Sequence, residues 1–390
     1  MIVRPAGAGS DGLTVTRSAL TAAPDDWDGL TGPSGADFYS SRRWHLAMAG
    51  LNGADDRLLV ARGRDGGLRA VVPVFGFAAG TANPLMHPGT LFGGAGATSD
   101  AAARRWEPLT VVGNVSGYST TPVCAGDLRA WAETADRVSE GVGTAWVPYL
   151  TGDAVRGIGA ALPGRPVLLT AMRVVVPVPG TTVEQYYDAI PRRRRELARR
   201  ERRLLAKAGR AITVEELGEA NVAEFARLQV NTQRRHGSFG DAALFERMFR
   251  QMSAALDGRV FAFVCRDAGR AIGFMWAVRH GRALVARSIG LDYERVGAHA
   301  EYFNLMIHEP VRHCLEHGLT EIDMSVGSYR QKLLRGGIPT PAWSILLRPP
   351  PFWTERDTEL HNRARARELL AELHPLAPAA VVEELERVAR

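Results

Sequence analysis

"GLTEIDMSVGSYRQKLLRGGIPTPAWS", residues 318–344, is the most specific stretch of the chain. The run "LTEIDMSVG" reads as a strand that carries Asp323 at its end and then enters a turn at Gly327. Tyr329, Lys332, Arg335 and Gly336 follow, with Pro339 beyond. A carboxylate at a strand end, followed by a phenol, an ammonium and a guanidinium, supplies groups that accept a proton, donate hydrogen bonds and hold negative charge.

The residues upstream give this strand its setting. "RVFAFVCR" (259–266), "AIGFMWAVRH" (271–280) and "ALVARSIGL" (283–291) are β-rich runs joined by "DAGR" and "GR", turns short enough only for antiparallel neighbours. "AEYFNLMIHEPVRHCLEHG" (300–318) reads as a helix closed by Gly318, and Pro310 predicts a bend or division within it. The order is therefore a three-stranded meander, a helix and a further strand.

Before the meander lies "PRRRRELARRERRLLAKAGR" (191–210). At about 100° per residue, Ile190, Leu197, Leu204 and Ala208 share one arc, with Leu205 at its border. Arginines fill the other side, and only Arg194 and Glu201 intrude on the apolar arc. Pro191 suits the first turn and Gly209 the end. Such a face is either a solvated helix side or the footprint of a polyanion, and Arg192, Arg195, Arg199, Arg202 and Arg203 are the candidate RNA contacts. Just upstream, Thr181 and Glu184 have capping-box spacing and predict a helix through "QYYDAI".

The first half is read more coarsely. "DFYSSRRWHLAMAG" (37–50) is a short aromatic helix in which Phe38, Trp44 and Leu46 face inward, and "RLLVARG" and "RAVVPVFGF" form a hairpin across "RDGG". Residues 80–96, dense in Gly and Pro, read as a long loop or a surface rim. "TAWVPYL", "GDAVRGIGAAL" and "VLLTAMRVVVPV" then give strand, helix, strand. The expected organisation is 1–165, 166–345 and a helical tail 346–390.

With 390 residues, 46% of them hydrophobic, the chain can bury cores for two such domains. Its net charge of +6 favours anionic partners without proving one. Cys124, Cys265 and Cys314 have neither zinc nor disulfide spacing, which suits a reducing cytoplasm. No signal-peptide core and no membrane-length apolar run is present, so no membrane span is expected. The motif HExxH is absent, Arg312 standing where the second histidine is needed, and no metal is expected.

Residues 180–345 resemble the GNAT-fold proteins related to the Fem-type peptidoglycan aminoacyltransferases. The resemblance rests on the steps Asp323, Gly327, Lys332, on the arginine-rich helix opening the second domain, on "NTQRRHG" (231–237) and on the long helix after 300. The first half resembles the family only loosely, through "FYSSRRWHLA" and the two strands after it. The resemblance implies an α/β (α+β) chain of two GNAT-like domains, each a mixed, mainly antiparallel sheet flanked by helices. It also implies an enzyme that forms amide bonds, an amine attacking an activated acyl or aminoacyl carbonyl. Its donor is aminoacyl-tRNA, as in Fem-type relatives, or acyl-CoA, as in ordinary GNAT enzymes, with no tightly bound cofactor. "ERVGAHA" (294–300) departs by one position from the usual pyrophosphate loop, although Gly297 and Ala298 leave room for a phosphate at a helix start.

Within that scheme Asp323, Tyr329 and Lys332 are the candidate catalytic residues. Asp323 would orient the amine or take its proton, Tyr329 would bond the carbonyl oxygen, and Lys332 would neutralise a phosphate or the oxyanion. Arg287, an arginine in an apolar strand, joins Tyr302, Asn304 and Arg335 as candidate substrate contacts. Cys265 and Cys314 read as structural. The expected partners are tRNA and a small-molecule, cell-wall or natural-product amine, with no DNA. A catalytically silent scaffold binding RNA or protein is the alternative from another class.

Overall fold

A computed structural model of the chain describes residues 13–51, 53–78, 80, 87–93, 104–138, 143–237, 240–297 and 299–390. Two compact units emerge. The first comprises 1–32, 36–173 and 340–390, and the second 33–35 and 174–339.

In the first unit the strands β1 (Thr14–Ala19), β2 (Asp55–Arg62), β3 (Leu68–Phe77), β4 (Leu109–Val112) and β5 (Thr144–Leu150) lie side by side in that order. The sheet then takes in β12 (Ile338–Arg348) and the first part of β6 (Val167–Pro177). Pairing is antiparallel except between β4 and β5, which run parallel with a helix, Leu128–Val138, between them. Alternate residues of a strand face opposite ways. Leu58 and Val60 enter one core with Trp27, Phe75 and Trp146, while Leu59 and Ala61 enter another with Trp131 and Ile158. Burial on both faces explains why these strands read as continuous apolar runs.

Phe38 and Trp44 are buried as expected, around a helix Arg42–Met48 capped by Ser41. The stretch 80–96 lies largely outside the described residues, but it contains a short helix, Pro88–Phe92, where a loop was expected. Residues 346–390, expected as a separate tail, belong to the first unit. Their helix Glu355–Leu373 opens on a capping box of Thr354 and Asp357, and Asn362 bonds the Leu169 nitrogen at 2.8 Å and the Val167 oxygen at 2.9 Å.

The second unit repeats the plan. The end of β6 pairs with β11 (Glu321–Asp323), followed by β10 (Ala283–Leu291), β9 (Arg270–His280), β8 (Val260–Asp267) and β7 (Ile212–Glu216). Again one pair, β10 with β11, is parallel and the rest antiparallel. Helices Val222–Arg235 and Ala242–Leu256 pack through Phe225 and Phe249 on Phe274 and Trp276. Gly290 allows the first of these helices to approach β10, since a Cβ there would sit 2.8 Å from the Gln229 nitrogen. Both units are thus mixed, mainly antiparallel sheets flanked by helices.

Candidate active site

Strand β10 carries the first element of the site. It pairs with β11 only from Ala283 to Val285, and beyond Val285 and Asp323 the two strands no longer pair. At this opening β10 is bulged: Trp276 faces Ser288 while Ala277 faces Ala286, leaving Arg287 as the extra, half-buried residue. A bulge re-aims a side chain and so places an arginine in an otherwise apolar strand. On the neighbouring position, the Ser288 hydroxyl links Trp276 Nε1 at 2.8 Å to Gln229 Oε1 at 2.9 Å.

The chain leaving β11 forms a tight loop in which Ser325, Gly327 and Ser328 all have positive φ, at 57°, 74° and 49°. Two non-glycine residues in this region within four positions are unusual and need support from their surroundings. Asp323, fully buried, supplies part of it by accepting from the Ser325 nitrogen at 2.8 Å. Lys332 supplies more. Its Nζ donates to the carbonyls of Met324 and Val326, at 2.5 and 2.9 Å, and burial pulls its pKa down to about 8 despite the attraction of Asp323. Expected to reach outward to a phosphate or oxyanion, Lys332 instead turns inward and holds the loop. Tyr329 is also buried, as the first residue of the short helix Tyr329–Leu334.

The helix over residues 301–316 is α-helical at Glu301–Phe303, π-helical at Asn304–His308 and α-helical again at Glu309–Glu316. Pro310 accounts for the wide turn: it has no N–H for the Met306 carbonyl and crowds it, and Glu309 N–H bonds Asn304 O instead. Tyr302 is half-buried and hydrogen-bonded to Ser328, and burial raises its pKa. Asn304 is buried rather than open to a substrate. Its Nδ2 donates to the backbone oxygens of Glu201, at 3.1 Å, and Ala300, at 2.9 Å.

The arginine-rich helix runs over Arg192–Lys207, and its buried face is Ala198, Glu201 and Leu205, not the Leu197–Leu204 arc. The apparent intruder Glu201 is the centre of that face. Its carboxylate meets His308 Nε2 at 2.7 Å and is gripped by two guanidinium nitrogens of Arg335, one of them Nε at 3.2 Å. Desolvation opposes ionisation, yet the bonds from His308 and Arg335 prevail and hold the Glu201 pKa below its ordinary value. Arg335 also lies 3.1 Å from the centroid of the Phe303 ring, so it too is an internal tie. Glu201 and His308 were not among the expected site residues, and the only signal was one acid on an apolar arc.

The outward arginines are partly engaged. Arg192 bonds Glu196 at 2.7 Å and Arg195 bonds Asp188 at 3.2 Å. Arg199 stands 5.3 Å from the centre of the Tyr187 ring, and Arg202 reaches the Tyr187 hydroxyl at 3.5 Å and Glu309 at 3.8 Å. Arg203 is exposed. The helix before them is capped by Thr182, one residue later than its spacing suggested.

The start of the long helix departs most from expectation. Ala298 lies outside the described residues, but the backbone nitrogens on either side, Gly297 and His299, donate to Glu301 Oε2 at 3.3 and 3.2 Å. The other oxygen of the same carboxylate pairs with Arg210, which also contacts Asp267 at 3.2 Å. Glu301 is 1% exposed. A site expected to receive an anion is filled by the chain's own carboxylate. Among the described residues, no group of three or more His, Cys, Asp or Glu is placed to hold a metal ion, and no helix is long and apolar enough to cross a membrane. Burial raises the Cys124 and Cys265 thiols to about 11 and Cys314 higher still, away from nucleophilic use.

A mixed sheet with one parallel pair that splays at a bulged strand, followed by a helix, is the arrangement of the GNAT fold. Residues 191–333 match the family described as the acetyltransferase (GNAT) domain. Among solved structures, FemX shares the fold with a TM-score of 0.55 at 13% identity, over 85% of this chain and 96% of that one. L-PGS from Bacillus licheniformis does so at 0.53 and 11%, over 86% and 94%. The DUF2156 domain of a candidate lysylphosphatidylglycerol synthetase from Agrobacterium fabrum gives 0.51 and 10%, over 81% and 88%. At such identities the likeness is one of fold. No curated protein sequence matches the chain.

Proposed function

We propose that the chain transfers an aminoacyl group from aminoacyl-tRNA to an amine acceptor, forming an amide. The observation that carries the donor assignment is Glu301. Coenzyme A would need backbone N–H groups at a helix start for its pyrophosphate, and here Gly297 and His299 already serve a buried carboxylate backed by Arg210. Displacing it would leave a buried carboxylate without its partners, at a cost of about 3–5 kcal/mol.

A tRNA ester donor has no pyrophosphate to place, and its phosphates suit the exposed arginines of the 192–207 helix. In the reaction a neutral amine forms the C–N bond as the C–O bond to ribose breaks, and the amine's proton passes to the departing hydroxyl. The splay beside Arg287 offers the acyl group a place between strands, and Tyr302 is a half-buried phenol bonded to Ser328 in the loop after β11. This chemistry belongs in the cytoplasm, where aminoacyl-tRNA is made. Transfer of label from charged tRNA to a panel of amines, lost after ribonuclease treatment, tests the proposal. The description of the matched family favours a second reading, acyl-CoA-dependent N-acylation of a small amine, which the same amines with labelled acetyl-CoA would reveal.

A further inference from the structure

Beyond the end of β10 one aromatic ring stands in solvent. The large hydrophobic side chains left exposed among the described residues are Val214, Leu244, Tyr293, Ile338 and Leu360, and Tyr293, 37% exposed, is the aromatic one. A solitary exposed apolar side chain is ordinary; the surroundings of this one are not. The Arg235 guanidinium lies 5.6 Å from its ring centroid, and Arg234, Arg235 and His236 form an exposed run at the end of the Val222–Arg235 helix. The phenol is also close enough to Tyr302 for the two to interact, and Tyr302 bonds Ser328 in the strained loop after β11.

The charges around the ring favour an anion-bearing ligand. Asp292 is matched by Arg270 at 3.6 Å and Arg295 at 4.0 Å, so Glu294 is the one exposed carboxylate within this turn. Unpaired bases stack on aromatic rings and on guanidinium planes whatever their sequence, while the phosphates between them seek arginine.

We infer that Tyr293 and Arg235 form a stacking platform for an unpaired nucleobase at the 3′ end of the donor RNA, with Arg234 and His236 beside its phosphates. The inference rests on the tRNA donor proposed above and names the part of that donor held nearest the splay.

The test measures anisotropy of two labelled RNA hairpins of acceptor-stem length, one with a short single-stranded 3′ extension and one blunt, at fixed salt. Tyr293→Ala weakens the extended hairpin about tenfold, Tyr293→Phe stays within about twofold because the ring is kept, and neither alters the blunt hairpin. Arg235→Ala weakens both, the extended hairpin more. Unchanged binding of the extended hairpin by Tyr293→Ala, or equal loss for both hairpins, overturns the platform. Competition by AMP as effective as by the extended hairpin overturns the RNA assignment in favour of a free nucleotide. Ribonuclease-sensitive transfer reads the donor separately: if transfer persists and Tyr293→Ala is silent, the platform falls alone, whereas a wild-type protein that binds neither hairpin and transfers nothing from tRNA loses both.

Discussion

Glu201 and His308, 107 positions apart in sequence, meet through a 2.7 Å hydrogen bond inside the second unit, and Arg335 closes on the same carboxylate. The arginine helix is thereby fixed to the π-helical turn and to the end of the 323–335 segment. Removing one partner of a buried ionic cluster costs about 3–5 kcal/mol. Glu201→Gln is expected to lose about that much stability at neutral pH in urea denaturation. A carboxylate whose folded pKa is depressed stabilises above its ordinary, unfolded pKa of 4.5 and loses that contribution as pH falls through the folded value. The gap between wild type and variant therefore closes as pH falls below 4.5 and through the lower folded value.

Two of the outward arginines are free to be changed without disturbing this cluster. Arg199→Glu with Arg203→Glu is expected to leave thermal unfolding within a few degrees of wild type while weakening tRNA binding at least tenfold. The slope of log affinity against log salt should fall by about 2, one for each lost phosphate contact. Arg202 behaves differently, because Arg202→Glu would set a carboxylate against Glu309, and a lower melting temperature should follow.

Much of this was legible in the sequence, and the reasons for the remainder are physical. The meander, the long helix and the strand before Asp323 followed from short turns and apolar runs, which are local signals. Glu201 was visible as an acid on the apolar arc, yet its partners at 308 and 335 lie a hundred or more positions away and leave no local trace. Lys332 had the family spacing, but spacing does not say whether a lysine turns toward solvent or toward carbonyls behind it. The helix start after Gly297 and Ala298 read as an anion-binding end because nothing local shows that the Glu301 carboxylate folds back onto the amides of Gly297 and His299 before it.

Lys332 gives a pH signature at the alkaline end. Its folded pKa, about 8, lies below the ordinary 10.5, so between those values the unfolded chain binds more protons and stability rises with pH. Wild type is expected to gain about 1–3 kcal/mol relative to Lys332→Met between pH 8 and 10.5. Parallel stability curves over that range would mean that the ammonium is not desolvated as described.

Glu301→Ala should uncover the amides of Gly297 and His299. The variant is expected to be less stable by about 3 kcal/mol, because Arg210 loses a buried partner, and to recover part of that loss in millimolar pyrophosphate. Wild type should show no such recovery, and calorimetric unfolding with and without pyrophosphate reads both.

The donor is decided by offering the wild-type protein labelled aminoacyl-tRNA and labelled acetyl-CoA with the same set of amines. Amide product from the charged tRNA, abolished by ribonuclease and at least a hundredfold above that from acetyl-CoA, is the predicted result. Turnover of acetyl-CoA that is indifferent to ribonuclease, with no product from charged tRNA, would contradict it.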